Sequence, residues 1–149
     1  MAITRTIMVD DDGSGTTGTI LNNAWLQTIY DQIDAIGTQV PWTPIDASGA
    51  GLTFSSAVGY SVRSGRAVLF WVSVVFPATA SSAPVLIGGL PVTAGLIHGG
   101  GYTTFGLGCS VHVPTAATSF YLVSPAGVTR TNAEMSGSNW IGAGQYLSA

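Results

Sequence analysis

The sequence predicts a mainly β protein: an N-terminal arm, a short α-helix, and then an antiparallel, jelly-roll-like β-sandwich. Three observations predict it. Turn formers are abundant, with 20 Gly and 7 Pro in 149 residues. The apolar runs between them are short and alternate with period two, the signature of strands. One stretch alone, residues 20–36, is long and free of both Gly and Pro, and there the period changes to that of a helix.

Composition adds a second constraint. Only 4 Arg and 7 acidic residues carry charge, and lysine is absent. At 7% charged and 46% hydrophobic, with a mean hydropathy of +0.43, the chain is far from the roughly one-quarter charged content of an average soluble domain. A lone subunit of this kind would present sticky surface. No stretch reaches the ~20 apolar residues of a membrane helix: the longest run, Ala67 to Ala78, is broken by Ser73 and Pro77. The opening Met-Ala-Ile-Thr-Arg-Thr lacks the apolar core of a signal peptide. The surplus apolar surface is therefore expected between subunits of a permanent assembly made in the cytoplasm. A net charge of −3 with 4 Arg argues against nucleic acid, whose binding rests on phosphate neutralisation. The single Cys109 excludes an internal disulfide framework and reads as a small buried hydrophobe.

Residues 1–18 read as an arm. Ile3, Arg5, Ile7 and Val9 alternate with Thr4, Thr6 and Met8, a strand with no hairpin partner following it. Such a strand adds to its own sheet or pairs with the edge of another protein, and we expect it to be the attachment device. The loop Asp10 to Gly18 is turn chemistry. Residues 19–37 read as an amphipathic helix, with Thr19 as N-cap and Gly37 closing it. Leu26, Ile29, Ile33 and Ile36 are spaced three, four, three, an a-d-a-d seam whose Ile at d favours trimers or tetramers. The alternative is a helix lying on its own sheet. At ~25 Å and two heptads, such a stalk is too short to trimerise unaided, so the following domain must help.

Residues 38–50, with Pro41 and Pro44 around Trp42, read as a linker. Residues 51–149 then form the β-domain. Val58, Tyr60 and Val62 alternate, Ser64-Gly65 turns, and Arg66 to Phe76 returns as a longer strand. That strand is apolar on both faces: Val68, Phe70, Val72, Val74 and Phe76 on one, Leu69, Trp71 and Val75 on the other. A strand of this kind is covered on both sides, which buries Phe70 and Trp71 in opposite directions. We place Leu69 and Trp71, with the four helix residues, in a trimer interface. Val85 to Ile87, Tyr102 to Val113, Ser119 to Val123 and Asn139 to Leu147 complete the strands.

No chemistry-bearing constellation is complete. Asp10, Asp12, Ser14 and Gly15 match the opening of a calcium loop, but Leu21 stands where a bidentate Glu is required. His98-Gly99-Gly100-Gly101 spells an esterase oxyanion loop without the nucleophile elbow that gives it meaning. The β-domain offers only Asp46, at its entrance, and Glu134 as carboxylates, a poor match to the facing pair of a glycosidase. His98 and His112 are too few for an evident metal site. No cofactor and no catalytic residue is expected.

The stretch Gly59-Tyr60-Ser61-Val62-Arg63-Ser64-Gly65-Arg66-Ala67-Val68-Leu69-Phe70-Trp71-Val72 resembles the first hairpin of small β-domains on virion appendages of tailed bacteriophages. Ile87 to Val92 and Gly144 to Leu147 are similar to later elements of those domains, and the acidic-glycine opening Asp11 to Thr19 resembles the start of phage structural proteins. The resemblance implies a homotrimer on the virion: a head fibre, a capsid decoration protein or a tail-fibre tip. The short helix suits a capsid knob, with capsid or tail proteins as partners. The alternative is a tail tip or adhesin binding a host-surface glycan or protein, which exposed rings such as Trp140 or Tyr102 would favour.

Overall fold

The structure, a computed structural model, describes residues 23–34 and 36–149, which fall into two compact units divided after Gly37. The arm expected at residues 1–18 lies outside the described residues, and with it Ile3, Arg5, Ile7, Val9, Asp10 and Asp12.

The first unit contains α1, Asn23–Asp34. The Gln27 side chain donates to Asp31 Oδ1 at 2.8 Å, one turn on. The Ile36 N–H then donates to the Ile33 carbonyl at 3.0 Å, a tightened last turn. Gly37 follows with φ of +80°, the left-handed conformation expected of a C′ residue.

The second unit is all antiparallel β: β1 (Gln39–Trp42), β2 (Ile45–Asp46), β3 (Ser56–Ser64), β4 (Ala67–Val75), β5 (Leu86–Gly88), β6 (Gly99–Phe105), β7 (Ser110–Val113), β8 (Ser119–Val123) and β9 (Asn139–Leu147). The expected class is present, with one difference of layering. All nine strands belong to a single hydrogen-bonded sheet, in the order β1-β3-β4-β9-β6-β7-β8-β5-β2. Its two edge strands, β1 and β2, are separated by only Thr43 and Pro44. Three Cα steps span at most ~11 Å, so the edges must meet and the sheet curls around its own core. Opposite walls of one sheet thus face each other as the two layers of a sandwich would.

This corrects the reading of residues 38–50 as a linker. Proline is tolerated on an edge strand, where its missing N–H faces away from the ladder, and Pro41 occupies such a place opposite Tyr60. The expected strand Tyr102 to Val113 is two strands, β6 and β7, because Gly106 turns the chain with φ of +99°.

The core fills the curl. Val68, Phe70, Val72 and Val74 of β4 face Ile87, Val111, Val113, Phe120, Leu122 and Trp140 from the other strands. Phe70 is its hub, with the rings of Trp42, Phe120 and Tyr146 at 6.4, 5.3 and 6.0 Å. Room for them comes from residues without side chains: a Cβ on Gly144 would meet the Phe70 ring at 2.6 Å. Among the described residues, the buried side-chain polar atoms are paired except Trp42 Nε1 and Arg130 Nε. Trp140 Nε1 donates to Thr103 Oγ1 at 2.8 Å, which donates to the Cys109 carbonyl at 2.8 Å and accepts from the Cys109 N–H at 2.9 Å. Tyr146 donates its hydroxyl to the Val92 carbonyl at 2.7 Å; burial pushes that phenol's pKa up. Cys109 is buried and free, as its sequence context suggested.

Candidate functional site

Side chains directly opposite one another in a ladder share a face, so register places the outer wall of the β unit. The two-residue turn at Gly65–Arg66 sets Ser64 against Ala67 and therefore Tyr60 against Trp71. Trp71 is opposite Ala143, and Ala143 is opposite Tyr102. One row thus runs Tyr60, Trp71, Ala143, Tyr102 across four strands. The next row runs Val62, Leu69, Gln145, Gly100, His112, Tyr121.

The first row has a dip in the middle. Trp71 and Tyr102 stand two strands apart, roughly 10 Å at the usual strand spacing, and Ala143 between them offers only a methyl group. The result is a groove of about 450 Å³ with Trp71 and Tyr102 as walls, Gly100, Gly101 and Ala143 as floor, and Gln145 as a polar end. It runs on into a second hollow of about 270 Å³ that shares Leu69, Gly100 and Gln145 and reaches His98. Trp71 is 47% exposed and Tyr102 63%; Tyr60, Leu69, Val58 and Leu147 are exposed beside them.

This wall carries no charge. The β unit has five charged side chains, and all serve turns or loop ends. Arg63 donates to the Gly65 carbonyl at 2.8 Å, and Arg66 donates twice to the Ser148 carbonyl, at 3.0 and 2.9 Å. Arg130 pairs with Glu134 at 3.1 Å. Glu134 also accepts from the Thr131 N–H at 2.7 Å, and that bond, followed by Arg130, holds its carboxyl below the usual range. Asp46 is opposed by partial burial, yet its bonds from Ser48 Oγ, Leu52 N–H and Ser48 N–H outweigh this and lower its pKa. The two carboxylates of the β unit are thus each absorbed in organising a local loop.

The second row brings the only two histidines together. His98 precedes β6 by one residue, and His112 of β7 is opposite Gly100, so the two rings are diagonal neighbours over a residue with no side chain. His112 Nε2 and His98 Nδ1 lie 3.1 Å apart. The Tyr121 ring stacks on His112, centroids 6.3 Å apart and planes at 25°. The other glycines of the His-Gly-Gly-Gly run serve packing: a Cβ on Gly101 would run into the Ala143 carbonyl of β9.

The residues singled out from sequence fall as follows. Leu26 is within α1. Ile29 is half-buried and Ile33 is 56% exposed, while Ile36 lies past the helix end and is 62% exposed. Leu69 and Trp71 both lie on the outer wall. Phe70 and Trp71 do point in opposite directions, but in the single chain only Phe70 is buried, because no second layer covers Trp71. Trp140, considered as an exposed ring, is fully buried in the core; Tyr102 is the exposed one. Tyr60 was within reach of sequence reasoning through the hairpin register. Gln145 and the histidine pair were not, since they depend on pairings between distant segments. No protein-family model, curated protein or solved structure matches the chain.

Proposed function

We propose that this protein is a non-enzymatic structural subunit of a tailed-bacteriophage particle, a homotrimeric decoration or head-fibre protein on the capsid surface. In this reading α1 forms a three-stranded coiled-coil stalk through Leu26, Ile29 and Ile33, with Ile36 extending the contact just past its end. The β unit is the knob, with Leu69 and Trp71 in its subunit contacts, and the arm of residues 1–18 fixes the trimer to the particle. The observation that carries it is the uncharged wall holding Tyr60, Leu69, Trp71 and Tyr102. Depletion of charge with enrichment of aromatic side chains is the composition of an interface core, and a chain with so little charge has few other means of staying dispersed.

The test is mass and attachment together. Light scattering of the full chain should give three times 15.2 kDa, and Ile29→Asp with Ile33→Asp should dissociate the trimer by burying charge in its seam. A chain lacking residues 1–18 should remain trimeric and fail to decorate particles stripped of this protein. A single-chain mass at micromolar concentration, or undiminished decoration by the truncated trimer, would overturn the reading.

The groove between Trp71 and Tyr102 favours a second reading, a tail-fibre tip or adhesin. Two rings roughly 10 Å apart leave space for one flat sugar ring stacked between them, and the absence of charge suits a neutral glycan. Binding of the full chain to host cells but not capsids, lost in Tyr102→Ala, would select it.

A further inference from the structure

We propose that His98 and His112 form a binding site for a borderline divalent cation of the Cu²⁺, Ni²⁺ or Zn²⁺ class on the outer wall of the β unit. Imidazole nitrogens bind such ions at about 2.0–2.1 Å. Two nitrogens on one ion at that distance lie ~2.9 Å apart at a right angle and ~3.4 Å apart at the tetrahedral angle. The observed 3.1 Å between His112 Nε2 and His98 Nδ1 falls between these limits and corresponds to a nitrogen–metal–nitrogen angle of ~98° for bonds of ~2.05 Å. The ring centroids are 5.0 Å apart and the planes inclined by 32°, so the rings are tilted rather than stacked face to face.

Three features of the fold hold this arrangement. The β6–β7 register fixes His112 opposite Gly100, which leaves the space above that residue empty. Tyr121, opposite His112 on β8, stacks on its ring and limits its rotation, the kind of support that orients metal-binding imidazoles. Gln145, also opposite Gly100, lines the same hollow as His98 and offers a neutral carbonyl oxygen. Without a cation the two facing nitrogens share one proton in a hydrogen bond. Cation binding makes the donor ring change tautomer: its proton leaves the facing nitrogen for water and the same ring takes one back on its far nitrogen, so both rings stay neutral with their N–H groups at His112 Nδ1 and His98 Nε2. Among the described residues no acidic or thiol side chain joins the pair, so the donor set is nitrogen with neutral oxygen. That set selects imidazole-seeking ions over calcium or magnesium, and water fills the other positions.

The test uses the full chain and copper(II) chloride. Titration followed by electron paramagnetic resonance should show one Cu²⁺ per chain with splitting from two equivalent-class nitrogens, and Zn²⁺ should compete for it. His98→Gln and His112→Gln should each reduce the splitting to one nitrogen and weaken affinity at least tenfold. Both side chains lie on the surface wall, so circular dichroism of the variants should match the parent. Affinity should fall as pH is lowered, since protons compete for the same lone pairs. Copper binding that is unchanged in either variant, or a parent signal from a single nitrogen, would overturn the proposal.

Discussion

Phe70 and Trp71 are consecutive in β4 and lie on opposite sides of the same wall: the first is wholly buried, the second 47% exposed. One residue belongs to the stability of the chain, the other to whatever covers it. Phe70→Ala should cost about 3–5 kcal/mol by chemical denaturation, the usual price for emptying an aromatic core site. Trp71→Ala should leave the denaturation midpoint of a dilute single chain nearly unchanged and weaken the assembly measured by light scattering. Equal losses of midpoint in both variants would contradict the division.

Thr103 offers a sharper test of the polar core. Its hydroxyl serves the Trp140 indole and both backbone groups of Cys109. Thr103→Val keeps the shape and leaves buried donors unpaired, which should cost about 1–3 kcal/mol per orphaned group. Thr103→Ser should retain most of the stability. Urea titration of the two variants side by side checks this, and a Val variant as stable as the Ser variant would show that the hydroxyl bonds contribute little.

Acid should loosen the segment after β2. Asp46 has its carboxyl pKa lowered in the folded chain from an ordinary value of 3.8. Its contribution is therefore complete above 3.8, declines as pH falls below that value, and is gone once pH passes the lower folded value. Asp46→Asn should be less stable than the parent at neutral pH, and the difference should shrink over that acidic window. Thermal melts from pH 7 to pH 2 measure it; a difference that stays constant with pH would refute the linkage.

Local features of the fold were readable and non-local ones were not. The β3–β4 hairpin follows from Ser64-Gly65 and the alternation on either side. The limits of β8 and β9 follow from the glycine and proline signals flanking Ser119 to Val123 and Asn139 to Leu147. Closure of the sheet was hidden because Pro41 and Pro44 are as compatible with an edge as with a linker, and only the pairing partners decide. The glycine run before Tyr102 gave no strand signal, since its strand character comes from the close approach of β9 rather than from side-chain pattern. For the same reason the meeting of His98 with His112 could not be seen: 14 residues separate them, and it is the β6–β7 register that makes them neighbours. Exposure of Trp71 rather than Trp140 also depends on which wall faces inward, which alternation alone leaves undecided for Trp140 within so glycine-rich a strand.

The position of β9 has a consequence for how the molecule comes together in time. The last strand in chain order is fourth in the sheet, wedged between β4 and β6. The β3–β4 hairpin is local and can zip within microseconds, but its continuation requires Val75 to find Asn139 across a long intervening segment. Contacts of that separation dominate slow-folding β topologies. Until β9 arrives, the inward face of β4, Phe70 included, has a free edge on which a strand from another chain could be laid down in its place. Synthesis at high concentration should therefore yield exchanged or aggregated material at the expense of native chains, and slower production should restore them.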